Sequence, residues 1–263
     1  MTQANAQPDA AASQNIIVFS DLDGTLLDHD DYSYAAAMPA LAALAERAIP
    51  VVASSSKTLV ELEKLSAEIG LSGAAIAENG AAIRFADGTI DRAVSRDDIF
   101  AALETLPPAM RAKMQCFCDM QIDEIAVLTG LAPNAAADAA AREASEPFLW
   151  HGDIEGLADL TARLAAHDLQ VTQGGRFFHI VPPRDKAAAM EILLARLAVR
   201  PEAWALGDGP NDVSMLLAAD RAALIANHHL DTESLLPRHH QLHITHRQGS
   251  SGWRDAIAVF LAA

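Results

Sequence analysis

Positive charge is what this sequence has least of. Its 19 lysines and arginines face 35 aspartates and glutamates, a net charge of -16. A nucleic-acid partner needs a basic stripe, so that class is excluded. An anionic membrane surface is excluded for the same reason. Cysteine is nearly missing too: Cys116 and Cys118 are the only two. A bridge between residues so close would be strained, so both are expected reduced, as in a cytoplasmic protein. Two sulfurs with no further cysteine are weak grounds for a metal. No stretch is apolar for long enough to span a bilayer. Residues 1–14 have neither the basic start nor the apolar run of a signal peptide, and read as a disordered tail.

What is present suits one large or two modest domains: 263 residues, 51% of them hydrophobic. Short apolar strands at 16–19, 50–53 and 74–77 alternate with helical runs at 38–48 and 58–69, the second stopped by Gly70. That alternation predicts a parallel α/β sheet, with ligands beyond the carboxyl ends of its strands. Residues 81–85 continue as strand, and Asp87-Gly88 is a hairpin signal. Residues 86–185 break the pattern. They mix helices at 97–106, 135–143 and 157–167 with strand-like 148–150 and 177–181. The expectation is a core domain of 15–85 and 186–263 carrying an inserted α+β cap domain of 86–185. The hinges fall near Phe85 and Pro182-Pro183. The alternation resumes with a helix at 187–197, strands at 204–206 and 224–226, and helices at 213–219 and 255–261.

The first strand runs into Asp21-Leu-Asp23-Gly24-Thr25. Two carboxylates two residues apart on an extended segment point to the same side. They repel unless a cation neutralises them, and a hard divalent ion such as Mg2+ prefers carboxylate oxygen. Gly24 permits a sharp turn or a close approach. A calcium loop of the EF-hand type does not fit, because the Gly comes too early. Ser54-Ser55-Ser56-Lys57-Thr58 follows the second strand, where its hydroxyl and N–H groups suit either a phosphate or a plain helix cap.

Asp21-Leu-Asp23-Gly-Thr25 resembles the first motif of the haloacid dehalogenase phosphatase superfamily, and Gly207-Asp208-Gly-Pro-Asn211-Asp212 resembles its fourth. Lys186 stands at the third-motif position, although Ala187 replaces the Gly usual after it. Ser55-Ser-Lys-Thr58 with Glu61 is similar to a pattern of the mannosyl-3-phosphoglycerate phosphatases. By that alignment Ser55 carries the second-motif hydroxyl, with Ser54 and Ser56 one residue away on either side. Glu78-Asn79-Gly80 resembles the core-to-cap junction of Cof-like enzymes. Arg142-Glu143-Ala-Ser145-Glu146-Pro-Phe148 and Gly174-Gly175-Arg176-Phe-Phe-His179 resemble cap strings of the mannosyl-3-phosphoglycerate phosphatases. Gly249-Ser-Ser-Gly-Trp253 is similar to a loop of that family with its middle replaced. There, Trp253 anchors the last helix.

The resemblance implies a haloacid dehalogenase-like core with a Cof-like, C2B-type cap. It also implies hydrolysis of mannosyl-3-phosphoglycerate through an aspartyl phosphate, with the glucosyl analogue as a close competitor. Asp21 is then the nucleophile and Asp23 the acid and base, and Ser55 and Lys186 hold the phosphoryl oxygens. Mg2+ is held by Asp21, the Asp23 carbonyl and Asp208, supported by Asp212. Thr25, Ser56, Lys57, Glu78, Asn79, Asn211 and the cap residues Arg142, Glu143, Ser145, Glu146, Gly175, Arg176 and His179 contact the small phosphorylated sugar–glycerate substrate. Carboxylates that accept sugar hydroxyls and an Arg fork for an anion fit such a ligand. A broader Cof-like or sucrose-phosphatase-like enzyme shares the core motifs, and a phosphomutase remains open. A non-catalytic binding protein predicts loss of Asp21, Asp23, Lys186 or Asp208, and all four are present. His228, His229, His239, His240, His243 and His246 are too irregularly spaced for a metal site and read as surface loops. The sequence leaves monomer and homodimer both open.

Overall fold

The computed structural model describes residues 15–174, 176–228 and 242–262. The expectations for residues 1–14, Gly175, His229, His239 and His240 lie outside them. The described strands are β1 (Ile16–Ser20), β2 (Val51–Ser54), β3 (Ala75–Ala77), β4 (Ala82–Arg84), β5 (Ile90–Arg92), β6 (Met114–Cys116), β7 (Glu146–Trp150), β8 (Gln170–Gly174), β9 (Phe177–Val181), β10 (Glu202–Gly207), β11 (Arg221–Ala226) and β12 (Leu242–Gln248).

They form two sheets, β12-β11-β10-β1-β2-β3-β4-β5 and β6-β7-β9-β8. The first is parallel from β12 to β3. β1 lies at its centre and is buried along its whole length. Its apolar run is unbroken because helices cover both faces. Ile16 and Val18 pack with helices Met38–Glu46, Leu59–Ile69 and Gly249–Ala262; Ile17 and Phe19 pack with Lys186–Ala195 and Val213–Ala218.

The expected hairpin at Asp87-Gly88 forms, with Gly88 at φ 83°, and sends β5 back along β4. The chain therefore leaves this sheet after Arg92, not near Phe85. It enters an antiparallel sheet backed by helices Arg96–Glu104 and Ile154–Ala165. Ile99, Leu103, Phe148, Leu160, Leu164 and Ile180 fill a separate core there. Arg184 closes the crossing between the two sheets. Its Nε donates to Gly80 O at 2.7 Å, one Nη to Ala81 O at 2.6 Å, and the other Nη to the Asp91 carboxylate.

His243 and His246, expected in surface loops, stand instead on β12, and two further segments differ from expectation. The helix expected at 135–143 is Pro133–Ala140, because Pro133 starts it early, and Arg142 and Glu143 fall in the loop beyond. Gly249-Ser-Ser-Gly-Trp253, expected as a loop, is the first turn of a helix. The Asp28 carboxylate caps it from the other end of the chain, accepting from Ser250 N and Ser250 Oγ, each at 3.0 Å.

Trp253 is fully buried, and its Nε1 donates to Ser20 Oγ at 2.9 Å; that hydroxyl donates to Asp21 O at 2.7 Å. Trp253→Phe, which keeps an aromatic ring but loses the hydrogen bond and some ring volume, is expected to cost about 1–3 kcal/mol in denaturant melts. Trp253→Ala, which leaves a cavity as well, is expected to cost about 3–5 kcal/mol.

Candidate active site

The carboxyl ends of β1, β2 and β10 converge on one group of polar side chains. Asp21 follows β1 directly, and its N–H donates to Leu206 O on β10 at 2.9 Å. Gly24 then turns the chain at φ 82°, and a Cβ there would sit 2.5 Å from Asp208 Oδ2. This position needs glycine for both conformation and space. Gly207 is needed for space alone, since its Cβ would lie 2.4 Å from the Asp212 Cβ.

Lys186, fully buried, reaches Asp21 Oδ1 at 2.7 Å and Asp212 Oδ1 at 2.6 Å. The other Asp212 oxygen accepts from the N–H groups of Asp208 (3.1 Å) and Gly209 (3.0 Å). Both Asp212 oxygens are thus engaged, which makes it a positioning group. Asp208 accepts from Thr25 Oγ1 at 3.0 Å and Asn227 Nδ2 at 2.7 Å. Asn227 is absent from the sequence reading; its place just beyond β11 follows the carboxyl-end rule that located the others.

Asp21, Asp208 and Asp212 offer oxygens within 4.8 Å of one another. Against these three carboxylates stands one ammonium. Burial, then repulsion by Asp212, pushes the Asp21 pKa well above its ordinary value despite Lys186; Asp208 is raised by burial and Asp212 in turn. Burial alone would lower the Lys186 pKa, but Asp21 and Asp212 outweigh it and keep the amine charged. The deficit is two positive charges among hard oxygen donors, so the residues fit a divalent cation of the Mg2+ type.

Asp23 stands apart from that cluster. Its Oδ2 accepts from Lys57 Nζ at 2.8 Å, while its Oδ1 is buried with no hydrogen-bond partner. Ser55, one residue past β2, is buried, and its Oγ accepts from Lys57 N–H at 3.3 Å. Ser54 is buried as well, on the strand itself, with an unpartnered hydroxyl. Asn211 Nδ2 donates to Asn79 Oδ1 at 3.2 Å, bridging two of the loops.

The expected cap contacts divide. Arg142 points to the core, its Nη1 donating to Ser56 O at 2.9 Å. His179 lies nearby on β9; burial, then the Arg142 charge, lowers its pKa to about 4, so it is neutral near pH 7. Arg176 is exposed in the turn before β9.

Ser145, Glu143, Glu146 and Glu78 are placed otherwise than expected. Glu78 is buried and accepts from Glu143 N (2.7 Å), Ala144 N (3.2 Å) and Ser145 Oγ. It latches cap to core. The Glu143 side chain pairs with Arg92 at 2.5 Å. Glu146 is fully buried against Arg96 at 2.8 Å and accepts from Cys118 N, also at 2.8 Å. A carboxylate bonded inside the cap in this way holds the cap together and is not turned to a sugar. Arg96 gave no sign of this role in sequence, because its partner lies 50 residues away.

Residues 18–127 match the family model of haloacid dehalogenase-like hydrolases, and residues 148–261 match that of sucrose-6F-phosphate phosphohydrolase. Among solved structures, the fold is shared with BT1666 from Bacteroides thetaiotaomicron, a phosphatase of the same superfamily. The TM-score is 0.69 and the identity 19%, over 99% of this chain and 100% of that one. The sucrose-phosphatase of Synechocystis sp. PCC6803 gives 0.65 and 16%, over 94% and 98%. The subclass IIB sugar phosphatase BT4131 gives 0.69 and 14%, over 94% and 100%. Two hydrolase family models thus match the chain in succession, and its fold, with parallel sheet and cap, is that of the haloacid dehalogenase subclass IIB phosphatase structures.

Proposed function

We propose that this chain is a Mg2+-dependent sugar phosphatase, and that its substrate is mannosyl-3-phosphoglycerate or the glucosyl analogue. The free oxygen of Asp21, the one not held by Lys186, attacks phosphorus, and the bond from phosphorus to the leaving oxygen breaks. Asp23 gives that oxygen a proton through Oδ1, the atom with no partner in the protein. It then takes a proton from the water that cleaves the aspartyl phosphate, releasing inorganic phosphate and restoring Asp21. Asp21, Asp208 and the Asp23 carbonyl would hold Mg2+, with Asp212 behind them. Bound there, the ion supplies positive charge against the transferring phosphoryl group. Lys186 and Ser55 hold the phosphoryl oxygens. Lys57 would exchange its bond to Asp23 for the anionic substrate.

One observation carries the choice of substrate. Lys57, on Asp23, and Arg142, on Ser56 O, meet at the second-motif loop of a chain otherwise short of cations. Two cations beside one phosphoryl site suit a substrate with a second anionic group, such as a glycerate carboxylate. The engagement of Ser145 and Glu146 within the protein favours a second reading, a broader sugar phosphatase, because it removes two expected sugar contacts.

The discriminating measurement is kcat/KM for both glycosyl-3-phosphoglycerates, sucrose-6F-phosphate and simple hexose phosphates, assayed side by side with Mg2+. The glycosylglycerates are expected to lead, and Arg142→Ala is expected to narrow their lead. A lead for hexose phosphates would select the second reading. Asp21→Asn is expected to lower every rate by at least about a thousandfold.

The cation is tested by melting temperature against pH. Asp21 and Asp208 have raised pKa values, so the folded protein binds their protons more tightly than the unfolded chain does. Without Mg2+, their contribution to stability therefore falls as pH rises from the ordinary carboxyl value near 3.8 through the raised values. Mg2+ is expected to raise the melting temperature near pH 7 and to lose that effect on acidification, as protons displace it. A Mg2+ effect that grows toward acid would refute the assignment.

A further inference from the structure

Among the described residues, one other group can surround a metal ion, and it lies in the cap. Cys116 ends β6, and Cys118 sits in the short 3-10 turn Phe117–Asp119 that follows. β6 runs antiparallel to β7 with Cys116 opposite Phe148, which brings Cys118 alongside Glu146. The Cys118 N–H donates to Glu146 Oε1 at 2.8 Å and confirms that placement. The two sulfurs and a Glu146 oxygen all lie within 4.8 Å of one another. A tetrahedral zinc ion, with Zn–S bonds of about 2.3 Å, wants its sulfurs roughly 3.8 Å apart, inside the 4.8 Å that bounds these three atoms. Both cysteines are free.

We propose that Cys116, Cys118 and Glu146 form a site for a thiophilic divalent cation of the zinc class, separate from the hard-oxygen site at Asp21. Two sulfurs and one carboxylate are a borderline-soft donor set, unlike the all-oxygen set of the active site. The charge balance also closes. Glu146 and Asp119 are offset by Arg96 and Arg111, which pairs with Asp119 at 2.8 Å. Binding M2+ displaces the two thiol protons, so the local charge is the same before and after. Arg96 approaches Glu146 Oε2, which leaves Oε1 as the ligating atom. The fourth position opens through Cys118, the exposed member, onto a cavity of about 490 Å3 that Glu104 and Arg111 also line. Cys116, fully buried, closes the opposite side. A metal here ties the 3-10 turn to the start of β7, one residue from the Ser145 that Glu78 holds. It stiffens the cap next to its latch.

The test uses Co2+ as a spectroscopic probe on the reduced full chain, with Mg2+ saturating so that the oxygen site is filled. Carboxylates give no sulfur-to-cobalt charge-transfer band, so the band reports this site alone. The expected result is a near-ultraviolet band that saturates at one Co2+ per chain and is erased by one equivalent of Zn2+, which binds more tightly. Cys118→Ser, at an exposed position, is expected to abolish the band and weaken Zn2+ at least about a hundredfold, with phosphate release and circular dichroism unchanged. Cys116→Ser, at the buried position, is expected to abolish the band likewise. A protein with two titratable thiols and no band would overturn the proposal. So would a band that survives Cys118→Ser, or thiols found joined as a disulfide.

Discussion

The buried ammonium of Lys186 is the interaction on which the rest of the site depends. An amine taken wholly out of water is tolerated only with close anionic partners, and here Asp21 and Asp212 both provide them. The residue opens helix Lys186–Ala195, directly after the crossing that Arg184 closes. One side chain therefore joins the return from the cap to the ends of β1 and β10. Asp212 passes the constraint on, because its second oxygen fixes the backbone of Asp208 and Gly209. Thr25 and Asn227 complete the cradle from the ends of β1 and β11. The carboxylates still outnumber the ammonium, and that imbalance is what makes a cation a natural component of the site.

Core and cap divide the work along physical lines. The core fixes charge with short bonds between buried groups, and so sets the chemistry. The cap meets it through groups that change partners more easily. The Glu78 carboxylate holds the backbone of residues 143 and 144, Arg142 rests on a carbonyl, and Thr58 Oγ1 donates to Asp138 O at 2.9 Å. Lys57 and Asp23 stand between the two, each partly exposed and each the partner of the other. In the proposed reaction a phosphorylated ligand competes for that lysine, beside the unpartnered Asp23 oxygen.

Much of this was legible before any coordinates. The Asp21 and Asp208 motifs, Lys186 and the parallel alternation are local signals: residue type, spacing and a strand just upstream. Strands β6, β8 and β12 were not read. β6 has only three residues, one of them a glutamine, and β8 carries glutamines and threonine along its length. Each is recruited by the neighbour it pairs with. Ser145, Glu146 and Glu78 had the right chemistry for a sugar, and sequence alone offered no way to see that each already had a partner.

The order of elements, the carboxylates and the lysine of the core follow from hydrophobic period and from motifs a few residues long. Tertiary structure decided which polar groups remain free to act. It joined Glu78 to Ser145, Arg96 to Glu146, Asp28 to the helix at Ser250 and Trp253 to Ser20. It also brought Cys116, Cys118 and Glu146 together. The reason is that a buried polar group must find a partner, and which partner it finds depends on what the fold places next to it.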